Sequence, residues 1–89
     1  MGRILIVDDD AQLRMSFEKI LSAEGHTVQT AATGESGLEI VSKNIPDLVI
    51  MDIRLPGMDG LETFREIHEI DSKLPVIIMT AYGTTDTAI

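Results

Sequence analysis

Three continuous apolar runs punctuate the chain: Ile4-Leu5-Ile6-Val7, Leu48-Val49-Ile50-Met51 and Val76-Ile77-Ile78-Met79. Each is rich in β-branched residues and stops at a polar one, namely Asp8, Asp52 and Thr80. Short runs without alternation fit strands covered on both faces. The stretch Thr27 to Ala31 differs, because Val28 sits between polar neighbours, and it predicts a strand near a sheet edge. Between these segments the apolar positions change to helical spacing. Leu13, Phe17, Ile20 and Leu21 stripe a helix over Ala11 to Glu24, with Asp9 or Asp10 as its N-cap and Gly25 as its stop. Thr33-Gly34 opens a second helix carrying Leu38, Val41 and Ile45, which Pro46 closes. Asp59 with Glu62 has the spacing of a capping box, and Leu61, Phe64, Ile67 and Ile70 stripe the helix behind it.

Strand and helix therefore alternate β-α-β-α-β-α-β with short links. A parallel sheet with helices on both faces, an α/β fold, is the economical solution. The chain has 89 residues, which is one domain (1–89), and a chain of this size buries only about 60 to 65% of its unfolded surface. Ala81 to Ile89 holds a turn and the beginning of a further helix but nothing that returns as a fifth strand, so the chain reads as cut short. Hydrophobic content of 44% with 25% charged residues is ordinary globular composition. The net charge of −8 argues against direct nucleic-acid contact, because phosphate backbones are held by Lys and Arg clusters. Without cysteine there is no disulfide framework and no thiolate metal site, which fits a cytoplasmic setting. No apolar run approaches the roughly 20 residues needed to cross a bilayer.

In a parallel sheet the C-terminal strand ends share one rim, where open α/β folds bind ligands. Neighbouring strands lie roughly 4.8 Å apart. If the first and third strands are neighbours, Asp8, Asp9 and Asp52 crowd one pocket. Such crowding raises carboxyl pKa values or demands a cation. An all-oxygen cluster suits Mg²⁺ or Mn²⁺ rather than Zn²⁺, for which neither His26 nor His68 is near the rim. Any one of these aspartates has a plainer role as a helix cap or loop start. Capping, however, explains neither Asp52 nor Thr80.

The quoted runs, with Leu55-Pro56-Gly57-Met58-Asp59-Gly60 after Asp52 and Ala81-Tyr82-Gly83 after Thr80, resemble the receiver domains of bacterial two-component response regulators. The resemblance covers the whole chain. It implies a flavodoxin-like sheet of order 2-1-3-4, here lacking the family's fifth strand and last helix. It implies that Asp52 accepts a phosphoryl group from a sensor histidine kinase or phosphotransfer protein and that the domain switches an output such as a DNA-binding one. Asp8 and Asp9 are similar to the family's Mg²⁺ site, Asp9 as the direct ligand and Asp8 partly through water, joined by Asp52 and the backbone carbonyl of Arg54. Thr80 resembles the switch hydroxyl that bonds the phosphoryl group, helped by the Ala81 N–H. Pro56-Gly57 would hold a fixed turn beside Asp52, or be an ordinary turn. Arg54 and Tyr82 stand where the family tunes hydrolysis, or are plain surface residues.

One expected part is missing: no residue matches the family lysine that ends the fifth strand. Lys73 precedes the fourth strand and belongs to the opposite rim. The chain can therefore also be read as a receiver-like scaffold, impaired in phosphotransfer and acting by association. A rival enzyme reading takes Asp8-Asp9-Asp10 as the Asp-x-Asp of a haloacid-dehalogenase-like phosphatase, with Asp8 the nucleophile and Asp10 the acid/base. It leaves Asp52 and Thr80 unexplained. Finally, a fourth strand that is apolar on both faces and unpaired on one side predicts a homodimer or an exchange of elements between copies.

Overall fold

The computed structural model describes residues 2–79. The elements follow in the order β1 (Arg3–Val7), α1 (Ala11–Ala23), β2 (Thr27–Ala31), α2 (Gly34–Lys43), β3 (Leu48–Asp52), α3 (Gly60–Ile70) and β4 (Val76–Met79). All strand pairs are parallel and the sheet order is β2-β1-β3-β4. This is the flavodoxin-like 2-1-3-4 arrangement, with β2 at an edge as the polar neighbours of Val28 predict. The turn and helix start expected after Ala81 lie outside the described residues.

The continuous apolar runs are apolar because both sheet faces are covered. Leu5, Val7, Val49 and Met51 pack beneath Val41 of α2 and Ile67 of α3. Ile4, Ile6 and Ile50 face the other way, against Phe17 and Leu21 of α1. In the sheet register Val7 pairs with both Ala31 and Met51, and Asp52 pairs with Met79. Asp8, the residue after Val7, and Asp52, the residue after Met51, are therefore brought side by side at the C-terminal rim.

The helical stripes read from the sequence are wider than the ones the fold uses. Leu13 and Ile20 of α1, Ile45 beyond α2, and Leu61 and Ile70 of α3 are exposed. The inward line of α1 is Arg14, Phe17 and Leu21, and that of α3 is Gly60, Thr63, Phe64 and Ile67. Thr63 is fully buried because its hydroxyl donates to the Asp59 carbonyl at 2.7 Å, so its polar atom needs no water. Gly25, at φ +94°, follows α1 in a left-handed conformation that glycine adopts without strain, and its N–H donates to the Ser22 carbonyl.

Gly60 sets how closely α3 approaches the end of β3. Its N–H donates to the Ile53 carbonyl at 3.0 Å, and a Cβ there would stand 2.6 Å from the Asp52 carbonyl oxygen and from Ile53 Cα. Both are backbone atoms of the segment that aims Asp52. Gly60→Ala should therefore destabilise the domain by about 2 to 3 kcal/mol, the scale of overpacking against a neighbour that cannot yield. Urea unfolding measures it, and a loss below about 0.5 kcal/mol would show that α3 shifts freely.

Candidate metal and phosphoacceptor site

The loop between β1 and α1 is built by its own aspartates. The Asp8 N–H donates to the Ala31 carbonyl at 3.0 Å, continuing the sheet ladder one residue past β1. Asp8 Oδ1 accepts from the Asp10 N–H at 2.8 Å, closing a tight turn. Asp10 then caps α1, its Oδ1 accepting from the N–H groups of Gln12 and Leu13 at 2.9 and 3.2 Å. Of the two possible caps the chain uses Asp10, and Asp9 is left exposed at the rim.

Asp52 ends β3 on a similar plan. Its Oδ1 accepts from the Arg54 N–H at 3.0 Å, and the next peptide is tied to β4 by Ile53 N–H to Met79 carbonyl at 2.9 Å. One carboxylate oxygen each from Asp8, Asp9 and Asp52 lies within 4.8 Å of the others. A six-coordinate ion with ligands at about 2.1 Å places opposite donors about 4.2 Å apart, so the spacing is close to what a small divalent cation needs. Asp8 is 1% exposed and Asp52 is 7% exposed, so both are shielded from water.

Asp8 carries the electrostatic strain. Its Oδ2 is buried and, among the described residues, has no hydrogen-bond partner. Burial raises its carboxyl above the ordinary 3.8, the Asp10 N–H works against this, and the charges of Asp52, Asp9 and Asp10 raise it further. A buried oxygen with no donor among the described residues, on a carboxylate clustered with two others, fits a hard cation. The residues therefore suit Mg²⁺ or Mn²⁺ on the chemistry of the donor set alone.

A cavity of about 450 Å³ opens at the cluster, lined by Asp8, Asp9, Asp10 and Asp52 together with Leu13, Phe17 and Met79. This apolar lining is not apparent from the strand and helix pattern. Nor is a contact from α1, in which Arg14 Nη1 donates to the Asp8 carbonyl at 2.7 Å. The spacing of Arg14 with Phe17 and Leu21 was the available signal, since it places an arginine on the inward line. Gly57 has φ +73°, a left-handed turn position, in the loop that leads from Asp52 to α3. Lys73 stands ahead of β4 at the far rim, and His26 lies there too, its Nδ1 accepting from the Gly2 N–H at 3.1 Å. His68 stacks obliquely against Phe64, 5.8 Å between ring centres. Thr80, Ala81 and Tyr82 lie outside the described residues.

Residues 4–89 match the profile of a family described as the response regulator receiver domain. The chain is 45% identical over 84 residues to sporulation initiation phosphotransferase F of Bacillus subtilis, covering 94% of this chain and 68% of that protein. It is 41% identical over 88 residues to the DNA-binding transcriptional regulator NtrC of Escherichia coli, where it covers 99% of this chain but spans only 19% of the relative. Among solved structures, a response regulator receiver domain protein from Clostridium thermocellum superposes with a TM-score of 0.88 at 33% identity, over 99% of this chain and 71% of that one.

The raised Asp8 carboxyl has a consequence for stability. A carboxyl whose folded value lies above its unfolded one costs nothing below the unfolded value, and its full cost is present above the folded value. Asp8→Asn should thus raise the unfolding midpoint of the cation-free protein at pH 7, with the gain shrinking as pH falls toward 3.8. Added Mg²⁺ should raise the midpoint of the parent and leave the variant nearly unchanged. Thermal unfolding across pH checks both, and equal midpoints for parent and variant at every pH would contradict the strain assigned to Asp8.

Proposed function

The chain belongs to the response regulator receiver family, and from that premise we propose that Asp52 accepts a phosphoryl group in a Mg²⁺-dependent reaction and thereby switches a downstream output. The donor is a sensor histidine kinase or a phosphotransfer protein. The observation that carries this reading is the convergence of Asp52 with Asp8 and Asp9 while Asp10 is occupied capping α1. The same observation weighs against the dehalogenase-like alternative, which needs the Asp10 carboxylate as a proton carrier.

Asp52 Oδ1 is held by the Arg54 N–H, which leaves Oδ2 as the attacking oxygen. It forms the bond to phosphorus as the phosphorus–nitrogen bond of the donor's phosphohistidine breaks, and the electron pair returns to the imidazole nitrogen. The product is an acyl phosphate on Asp52. Mg²⁺, or Mn²⁺ in its place, supplies charge compensation between the carboxylates and the transferring group when bound. Asp9, Asp52, the Arg54 carbonyl and, partly through water, Asp8 are its proposed ligands. The Thr80 hydroxyl and the Ala81 N–H are the proposed partners of the phosphoryl oxygens. In this reading the domain is a regulatory phosphoacceptor, and its own catalysis is limited to self-phosphorylation from a donor and self-dephosphorylation.

The net charge of −8 supports an output exerted through protein contacts rather than by this segment on nucleic acid. A relative such as NtrC is named for DNA binding, which makes a DNA-binding output the proposed one. A cytoplasmic site of action accords with the absence, among the described residues, of any helix long and apolar enough to cross a membrane. The edge of β4 supports a second kind of partner, another copy of this chain. Among the described residues β4 pairs only with β3, and Ile77 on it is 51% exposed.

Two measurements test these readings. After incubation with phosphoramidate and Mg²⁺, borohydride trapping and mass spectrometry should label Asp52 alone, and Asp52→Asn should remove the label. Labelling of Asp8 would instead favour the dehalogenase-like chemistry. Light scattering across a dilution series should show a dimer that dissociates as concentration falls, and Ile77→Lys should shift it to monomer. A parent that is monomeric throughout the micromolar range would exclude pairing along β4.

A further inference from the structure

We infer that Arg14 is a positioning residue for the metal-binding loop: its guanidinium fixes the peptide between Asp8 and Asp9, and through it the aim of the Asp9 carboxylate. The inference rests on the metal-binding reading above. α1 meets the sheet along Arg14, Phe17 and Leu21, all three half-buried. Phe17 and Leu21 pack on Ile4, Ile6 and Ile50, as inward residues of a covering helix should. The inward position nearest the rim is an arginine instead. Its Nη1 donates to the Asp8 carbonyl at 2.7 Å, reaching back across six residues from the helix to the end of the strand.

That carbonyl belongs to the peptide whose nitrogen is Asp9's own. The other bonds of the loop act on either side of it. Asp8 N–H is held by Ala31, Asp10 N–H by Asp8 Oδ1, and the Arg14 N–H returns to the Asp10 carbonyl at 3.0 Å. The Arg14 side chain is the group that fixes the plane from which the Asp9 side chain departs. Asp9 is exposed, so packing does not orient it, and its direction follows its backbone. A charge-assisted bond to a carbonyl is stronger than a neutral one, which suits this task.

The sign of the effect separates this role from its alternative. A guanidinium bonded to the Asp8 carbonyl brings a positive charge close to the cluster and repels a cation, so on charge alone its removal would tighten Mg²⁺ binding. As a tether, its removal loosens Asp9 and weakens Mg²⁺ binding. The position inverts what charge predicts, and one titration reads which dominates.

The experiment is calorimetric titration of Mg²⁺ into the parent, Arg14→Met, Arg14→Lys, Asp9→Asn and the Arg14→Met/Asp9→Asn double variant, each with a thermal unfolding trace. Removing a partner that orients a ligand typically lowers metal affinity about 10- to 100-fold, so Arg14→Met should weaken binding by about tenfold or more. Arg14→Lys retains a charged donor and should recover most of the loss. In the Asp9→Asn background, Arg14→Met should change the affinity by less than about twofold, since its effect passes through Asp9. A general loss of structure would instead carry over in full to that background. Unchanged or tighter binding in Arg14→Met, no recovery in Arg14→Lys, or independent losses in the double variant would each overturn the inference. If the parent binds Mg²⁺ and Arg14→Met is indifferent, only this inference falls; if the parent binds no Mg²⁺, the metal-binding reading falls and takes the inference with it.

Discussion

A parallel sheet delivers every strand end to the same rim, and here two adjacent central strands both end in aspartate. Asp8 and Asp52 are buried side by side, with ligand atoms within 4.8 Å. Two full charges at that separation repel by on the order of 3 kcal/mol at an effective dielectric of about 20. That is a sizeable share of the roughly 5 to 15 kcal/mol by which a domain is stable at all. Raising the Asp8 carboxyl relieves part of the repulsion, and a divalent cation relieves it more completely. The site is thus a place where the fold gives up stability, which a bound cation would restore.

The rest of the rim keeps this arrangement from relaxing. Asp10 is committed to the end of α1, so the loop cannot swing Asp8 outward without uncapping a helix. On the other side, the Arg54 N–H on Asp52 Oδ1 and the close approach of Gly60 to the Asp52 carbonyl hold the end of β3. Leu13, Phe17 and Met79 line the same cavity, and the burial of Asp8 and Asp52 is what makes their charges costly.

Much of this arrangement is legible in the sequence. Asp8 and Asp52 could be placed because uninterrupted apolar runs read as central strands, and parallel topology fixes where such strands end. The caps Thr33 and Asp59 were legible from local spacing alone, and both accept the expected backbone N–H. The choice between Asp9 and Asp10 as the cap of α1 was not, because either residue satisfies the spacing and only the Asp8 turn decides it. Nor was the exposure of Leu13, Ile20, Leu61 and Ile70. Among the described residues these outer apolar positions are exposed, while Phe17, Leu21, Phe64 and Ile67 make the contacts with the sheet. Arg14 is easily passed over for the opposite reason: its spacing with Phe17 and Leu21 fits the inward line, but a charged residue there reads as part of the polar face.

The central claim is that Asp8, Asp9 and Asp52 act as one cation site and not as three independent acidic side chains. Manganese titration followed by amide NMR tests it most directly, because paramagnetic broadening falls off steeply with distance from the ion. Broadening at substoichiometric Mn²⁺ should be strongest at Asp8, Asp9, Asp10, Asp52, Ile53 and Arg54 and weakest at Gly2, His26 and Lys73 at the far rim, and it should be lost in Asp9→Ala. Broadening spread evenly over the exposed Glu and Asp residues of the helices, or unchanged in that variant, would contradict it.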